Sequence, residues 1–167
     1  KVRIVFDGSA CTDGATIHLP RPSDAMDEQH LRGLLGIGCH ETAHVYYGSP
    51  KKFHAYILTK PLWQRPLAAD CFNAVLDVAD ETRFERRFRP ARRYFAASTT
   101  LVAMEYVASG AAYSRDRSAI NALIGGIFFV RRRRLSDAST YHALWGAIHS
   151  DPVSYWCACL LSQARTI

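Results

Sequence analysis

No apolar run in this chain approaches the eighteen or so residues that a membrane span requires, so the sequence reads as that of a soluble protein. Cysteine is scarce and unpaired. The five residues Cys11, Cys39, Cys71, Cys157 and Cys159 are an odd number without the spacing of a secreted disulfide framework, which points to a reducing cytoplasm. Cys157 and Cys159 form a lone Cys-x-Cys, too little for a metal site, and read as small buried apolar residues. Internal repeats, low-complexity stretches and an interdomain linker are missing as well. So is a nucleic-acid module, although a formal charge of +6 is concentrated in "RFERRFRPARR" (83–93) and "RRRR" (131–134). Such runs usually form solvated faces, and nucleic acid is accordingly the weakest of the partner readings. Lys1 opens the chain without a leader and "CLLSQARTI" stops inside a helical pattern, so a piece of a longer protein is expected.

What is present suits one domain over residues 1–167, with 49% apolar and 22% charged residues and room for one core. "VRIVF" and "TIHLP" read as two short strands near a sheet edge, joined by the turn chemistry of "GSACTDG". A helix is expected from about Ala25 to Tyr47, capped by Ser23 or Asp24 and ended by Gly48, Ser49 and Pro50. Its glycines at 33, 36 and 38 weaken it, and close packing against another backbone is the expected compensation. "HAYILT" (54–59) fits a strand or a loop equally. Helices follow from Pro66 to about Phe88, from Ala91 to a stop at Gly110, and over 117–135, 139–149 and 151–164. The fold class is α+β, mostly α, with a small N-terminal β-sheet.

The long first helix carries "GIGCHETAHVYYGS" (36–49). Residues four apart share a helix face, so His40 and His44 can converge on one tetrahedral zinc ion. Glu41 then stands beside the metal, placed to take a proton from the attacking water. Leu31, Leu34, Leu35, Ile37, Cys39 and Ala43 imply a core helix, where two histidines and a glutamate without a ligand are costly.

A catalytic zinc needs a third protein ligand. A later histidine of the metzincin kind is excluded, because position 47 is Tyr and position 50 is Pro. The remaining source is a carboxylate in "NAVLDVADETRFE" (73–85): Asp77, Asp80, Glu81 or Glu85. At about 100° per residue, Asp80 falls in the middle of the apolar face of that helix, between Leu76 and Phe84. Asp80 is therefore the expected ligand, Glu81 at the edge of the face the alternative, and a buried pair of Asp80 with Arg83 or Arg87 the competing structural explanation. Asp77, one turn earlier, suits a supporting role as acceptor of a ligand histidine's free ring N–H.

"ACTDGATIHLP", "LRGLLGIGCHETAHVYYGS" and "NAVLDVADETRFE" stand in the order of three blocks that resemble the metallopeptidase-like domain of CobT-type proteins and related phage and bacterial chains, a gluzincin. The resemblance spans roughly residues 2 to 88. It implies a zincin-like fold, a minimal gluzincin with an HExxH active-site helix, in which His40, His44 and an acidic residue at Asp80 hold Zn2+ and Glu41 is the general base. Tyr47, Arg83 and Glu85 also match. The chain departs from the pattern where Asp80-Glu81 replaces Glu-Asp and where Gly48-Ser49 replaces Thr-Asp. Through the resemblance, a von Willebrand A-type domain and an AAA+ protein become possible partners.

The function expected is zinc-dependent peptide hydrolysis, with an exposed "TIHLP" strand binding an extended peptide and Tyr113, Tyr141, His142 or His149 stabilising the oxyanion. A zinc-stabilised scaffold without activity is the alternative, and binding of nucleic acid or an acidic partner through the arginine runs is the third.

Overall fold

The computed structural model describes residues 1–108, 127, 131, 142 and 152–163. The fold starts from a side-chain-built turn: Asp13 Oδ1 accepts from the amides of Ala15 (2.8 Å) and Thr16 (2.7 Å), and Thr12 Oγ1 donates to the Thr16 carbonyl (2.6 Å). These bonds reverse the chain from strand β2 (Cys11–Thr12) into strand β3 (Thr16–Leu19), which pair antiparallel. Strand β1 (Arg3–Phe6) pairs parallel with β3 on its other side, Arg3 opposite Thr16 and Phe6 opposite Leu19. The strand order is β1-β3-β2. Two expectations change. "GSACTDG" holds a strand as well as a turn, and "TIHL" is the paired centre of the sheet, so its backbone is not open to a peptide.

Helix α1 (Glu28–Tyr47) begins at Asp27, whose Oδ1 accepts from the His30 amide at 2.8 Å. Ser23, expected as a cap, instead closes a preceding turn through its carbonyl to Met26 N. Leu34 of α1 joins Ile17 and Leu19 of β3 in one cluster, while Ala43 packs with Phe84, Ala91 and Phe95 in another. Leu31 and Leu35 are exposed, Leu35 at 55%, so α1 is less enclosed than its composition suggested. The expected close approach is present at Gly36, where an added Cβ would stand 2.1 Å from the Tyr94 carbonyl oxygen of helix α4 (Ala91–Ala108). Glycine's low helix propensity at that position is offset by this contact.

Gly48 ends α1 in the left-handed conformation (φ 66°), with its N–H on the last carbonyls. Helix α2 (Ser49–Leu58) starts at the next residue, with Pro50 in its first turn. "HAYILT" is therefore mostly helix. The proline that looked like a stop is also a helix start, because its missing N–H lies among amides that need no intrahelical partner. A 3₁₀ turn (Leu62–Gln64) leads into α3 (Arg65–Arg87), close to the expected bounds. Helix α5 (Pro152–Gln163) opens at Pro152, as the Asp-Pro pair suggested, and Leu161 packs with Ala74 and Val78 of α3.

Together these elements make a mostly helical α+β architecture with a three-stranded sheet. Gly110 and most of the helices expected over 117–135 and 139–149 lie outside the described residues; Ile127, Arg131 and His142 within them are helical. Among the described residues no helix is long and apolar enough to cross a membrane. All five cysteines are free, and Cys159 is exposed, contrary to its reading as a buried apolar residue.

Candidate metal centre

Helical spacing places His40 and His44 on one face of α1, their ring centroids 4.5 Å apart and nearly perpendicular. Their Nε2 atoms face each other at 3.1 Å. Asp77 Oδ1 on α3 lies 3.1 Å from His44 Nε2 and 3.7 Å from His40 Nε2. Three donor atoms thus surround one point. Two ligands of a tetrahedral zinc with bonds of 2.0–2.1 Å stand roughly 3.3 Å apart, the middle of the observed range.

The opposite ring nitrogens are tied down by two further carboxylates. His44 Nδ1 meets Asp80 Oδ2 at 2.9 Å, and His40 Nδ1 meets Glu81 Oε1 at 2.6 Å. Both rings are thereby held with Nε2 turned inward. Behind these carboxylates stand cations: Arg83 donates to Asp80 Oδ1 at 2.5 Å and lies over the Tyr47 ring, and Arg131 donates to Glu81 Oε1 at 2.7 Å. Ser49 Oγ, brought back by the turn at Gly48, donates to Asp80 Oδ2.

The carboxylates stand at other positions around the rings than the helical wheel suggested. Asp80 was placed on the metal and Asp77 behind a histidine; instead Asp77 faces the two Nε2 atoms, while Asp80 and the alternative, Glu81, each hold an Nδ1. The reason is geometric. Asp80 does occupy the middle of the buried face, with 0% of its side chain exposed, but there Arg83, Ser49 and His44 use its oxygens. The competing explanation, a buried Asp80–Arg83 pair, is correct as far as it goes. Asp77 is turned towards the two Nε2 atoms, and its Oδ1 is buried without a hydrogen-bond donor of good geometry among the described residues.

Two properties of the site fit a divalent cation. One is that orphaned oxygen, costly to bury unless something positive meets it. The other is charge. Glu41, Asp77, Asp80 and Glu81 are four buried carboxylates, met among the described residues by the guanidiniums of Arg83 and Arg131. Among the described residues, the ionised set carries two negative charges in excess when the histidines are neutral. In the metal-free protein the histidines supply the balance. Burial disfavours the charged ring of His44, but Asp77 and Asp80 overcome it and hold its pKa up at about 10. Asp77 and Glu81 likewise raise His40 against the same opposition from burial. Burial opposes the charged form of Asp77 too, yet His40, His44 and Arg131 keep its carboxyl below the usual range.

A cavity of about 300 Å³ opens onto the cluster, lined by Glu41, β2 and the start of α2. Burial pushes the Glu41 carboxyl up, against the pull of His40 and His44. His54 of α2 and Asn73 of α3 also line the cavity. Neither was singled out from sequence, although Asn73, one turn before Asp77, could have been found on the same helical wheel. Tyr113, Tyr141 and His149 lie outside the described residues, and His142 is exposed. Arg131 corrects the view of the 131–134 run as a solvated face, since its side chain is buried against Glu81. Comparison with known proteins returns no matching family model, no matching curated protein and no matching solved structure.

Proposed function

We propose that this chain is a zinc-dependent peptidase domain with a zincin-like, gluzincin-type centre in which His40, His44 and Asp77 hold the metal and Glu41 is the general base. The observation that carries this reading is the convergence of two Nε2 atoms with a buried carboxylate oxygen that has no well-aligned hydrogen bond, beside an open cavity lined by both histidines and a buried glutamate. The resemblance of the ordered motifs to CobT-type metallopeptidase-like domains points the same way. A closed four-ligand site would suit a structural zinc; three ligands beside a cavity leave a position for chemistry.

The chemistry a zinc ion held there supplies is Lewis acidity towards the scissile carbonyl and the attacking water. Glu41 takes the proton of that water and returns it to the leaving amine, a role favoured by its raised carboxyl. Asp80 and Glu81 keep the histidine rings oriented. An extended peptide aligns along the outer edge of β2, whose residues Cys11 and Thr12 line the cavity, in place of the paired "TIHL" strand. Phe53 and Leu76 give the wall an apolar patch for a substrate side chain.

The test is zinc content by elemental analysis together with cleavage of a peptide library by the wild type and Glu41→Gln. The expected outcome is zinc in both proteins and a rate lower by roughly 10²–10⁴-fold in the variant. Zinc in both and cleavage by neither, with the fold intact, would replace the peptidase with a zinc-stabilised scaffold, of the kind that could serve a von Willebrand A-type or AAA+ assembly.

A further inference from the structure

Four consecutive arginines normally stay in water, because each desolvated guanidinium needs its own anion. Arg131 departs from that rule. It is helical, its side chain is 15% exposed, and its Nη2 donates to Glu81 Oε1 at 2.7 Å. The same oxygen meets His40 Nδ1 at 2.6 Å. One carboxylate oxygen is therefore pinned between a guanidinium and a candidate metal ligand.

The two histidines are supported in unlike ways. Asp80, behind His44, is held by Arg83 one turn further along the same helix and by Ser49 at the start of α2. That support is local to α1, α2 and α3. Glu81, behind His40, is held by a residue fifty positions further along the chain. A glutamate has one more rotatable bond than an aspartate, so Glu81 depends more on an external anchor to keep its oxygen in place. Without Arg131, the Glu81 oxygen that meets His40 Nδ1 loses a charged donor, and the His40 ring is aimed less firmly.

We propose that Arg131 is a positioning residue of the metal centre, acting through Glu81 to hold His40 Nε2 towards His44 and Asp77. This rests on the metal-centre reading above. It makes metal affinity depend on where the chain beyond α4 places one arginine.

The experiment is a double-mutant cycle on the full chain, with zinc affinity measured by chelator competition and the ligand field by the visible spectrum of the cobalt(II)-substituted protein. Arg131→Met is expected to weaken zinc binding by roughly 10–100-fold and to alter the cobalt spectrum, with Arg131→Lys recovering part of the loss. In a Glu81→Ala background the same Arg131→Met change should alter affinity by no more than about twofold, since the carboxylate through which it acts is gone. Arg92→Met, which removes an exposed charge on α4, is expected to stay within about twofold of wild type. An unchanged affinity in Arg131→Met, or an equal loss with and without Glu81, overturns the proposal and leaves the metal centre standing. Absence of zinc binding in the wild type removes both. Should Arg131→Met fail to fold, Arg131→Lys carries the cycle, with a smaller loss that must also vanish in Glu81→Ala.

Discussion

Asp77 and Asp80 sit three residues apart on α3 beside the same histidine, and they differ in what their oxygens have left to do. Asp80 is saturated: Arg83 takes one oxygen, Ser49 and His44 the other. Asp77 is buried with an oxygen that accepts no well-formed hydrogen bond among the described residues. In a buried cluster of acids, the carboxylate with unmet bonding capacity is the better candidate ligand, and the most deeply buried one belongs to the framework.

Substituting each in turn separates them most widely. Asp77→Ala should lower zinc affinity by more than the roughly 100-fold expected for a supporting residue, while the metal-free fold survives. Asp80→Ala should do the reverse, destabilising the metal-free protein by on the order of 3 kcal/mol, because Arg83 and His44 lose a buried partner, with a zinc loss within roughly 10–100-fold. Urea unfolding and chelator competition read the two quantities independently. Equal effects of the two substitutions on zinc would erase the distinction.

The next largest effect is in pH. A histidine whose folded pKa is raised stabilises the fold fully below its unfolded value near 6.5 and loses that contribution as pH rises through the folded value, about 10 for His44. The thermal midpoint of the metal-free protein should therefore fall between about pH 6.5 and 10. Zinc affinity should climb over the same window, because the protons that zinc displaces are leaving. Calorimetry in buffers of different ionisation enthalpy should count at least one proton released per zinc near neutrality, from His44. Asp77→Ala should flatten both trends, by removing a carboxylate that raises both rings.

The smallest effect isolates the framework side. Ser49→Ala removes one donor to Asp80 and should cost about 1–2 kcal/mol of stability by urea unfolding, with zinc affinity changed by less than roughly tenfold. A larger zinc effect would place Asp80 closer to the metal than its bonding implies.

Much of this was legible in the residues. The HExxH spacing put His40 and His44 on one helix face, the α3 pattern gave its bounds nearly to the residue, and the helical wheel found the buried side on which Asp80 lies. The wheel could not say which way the cavity lies, because that depends on how α1 crosses α3 and on where the turn at Gly48 sends α2. Depth was legible, direction was not, so Asp80 was preferred to Asp77. "HAYILT" was ambiguous because a window of six residues with one β-branched apolar residue and one aromatic carries too little periodicity, and Pro50 was read only as an end. β2 is two residues long, below what alternation can reveal. Arg131 was hidden by its neighbours: in a run of four arginines, no pattern in the sequence marks which side chain meets a buried acid.

The single-residue corner at Gly48 has a mechanical consequence. Helices α1 and α2 share that corner with one residue between them, so the histidine helix and the start of α2, which both line the cavity, are joined directly. The opposite lip is β2, attached to the sheet through two residue pairs. That side of the cavity is therefore tied to the rest of the fold by two residue pairs, where the histidine side is built into a twenty-residue helix.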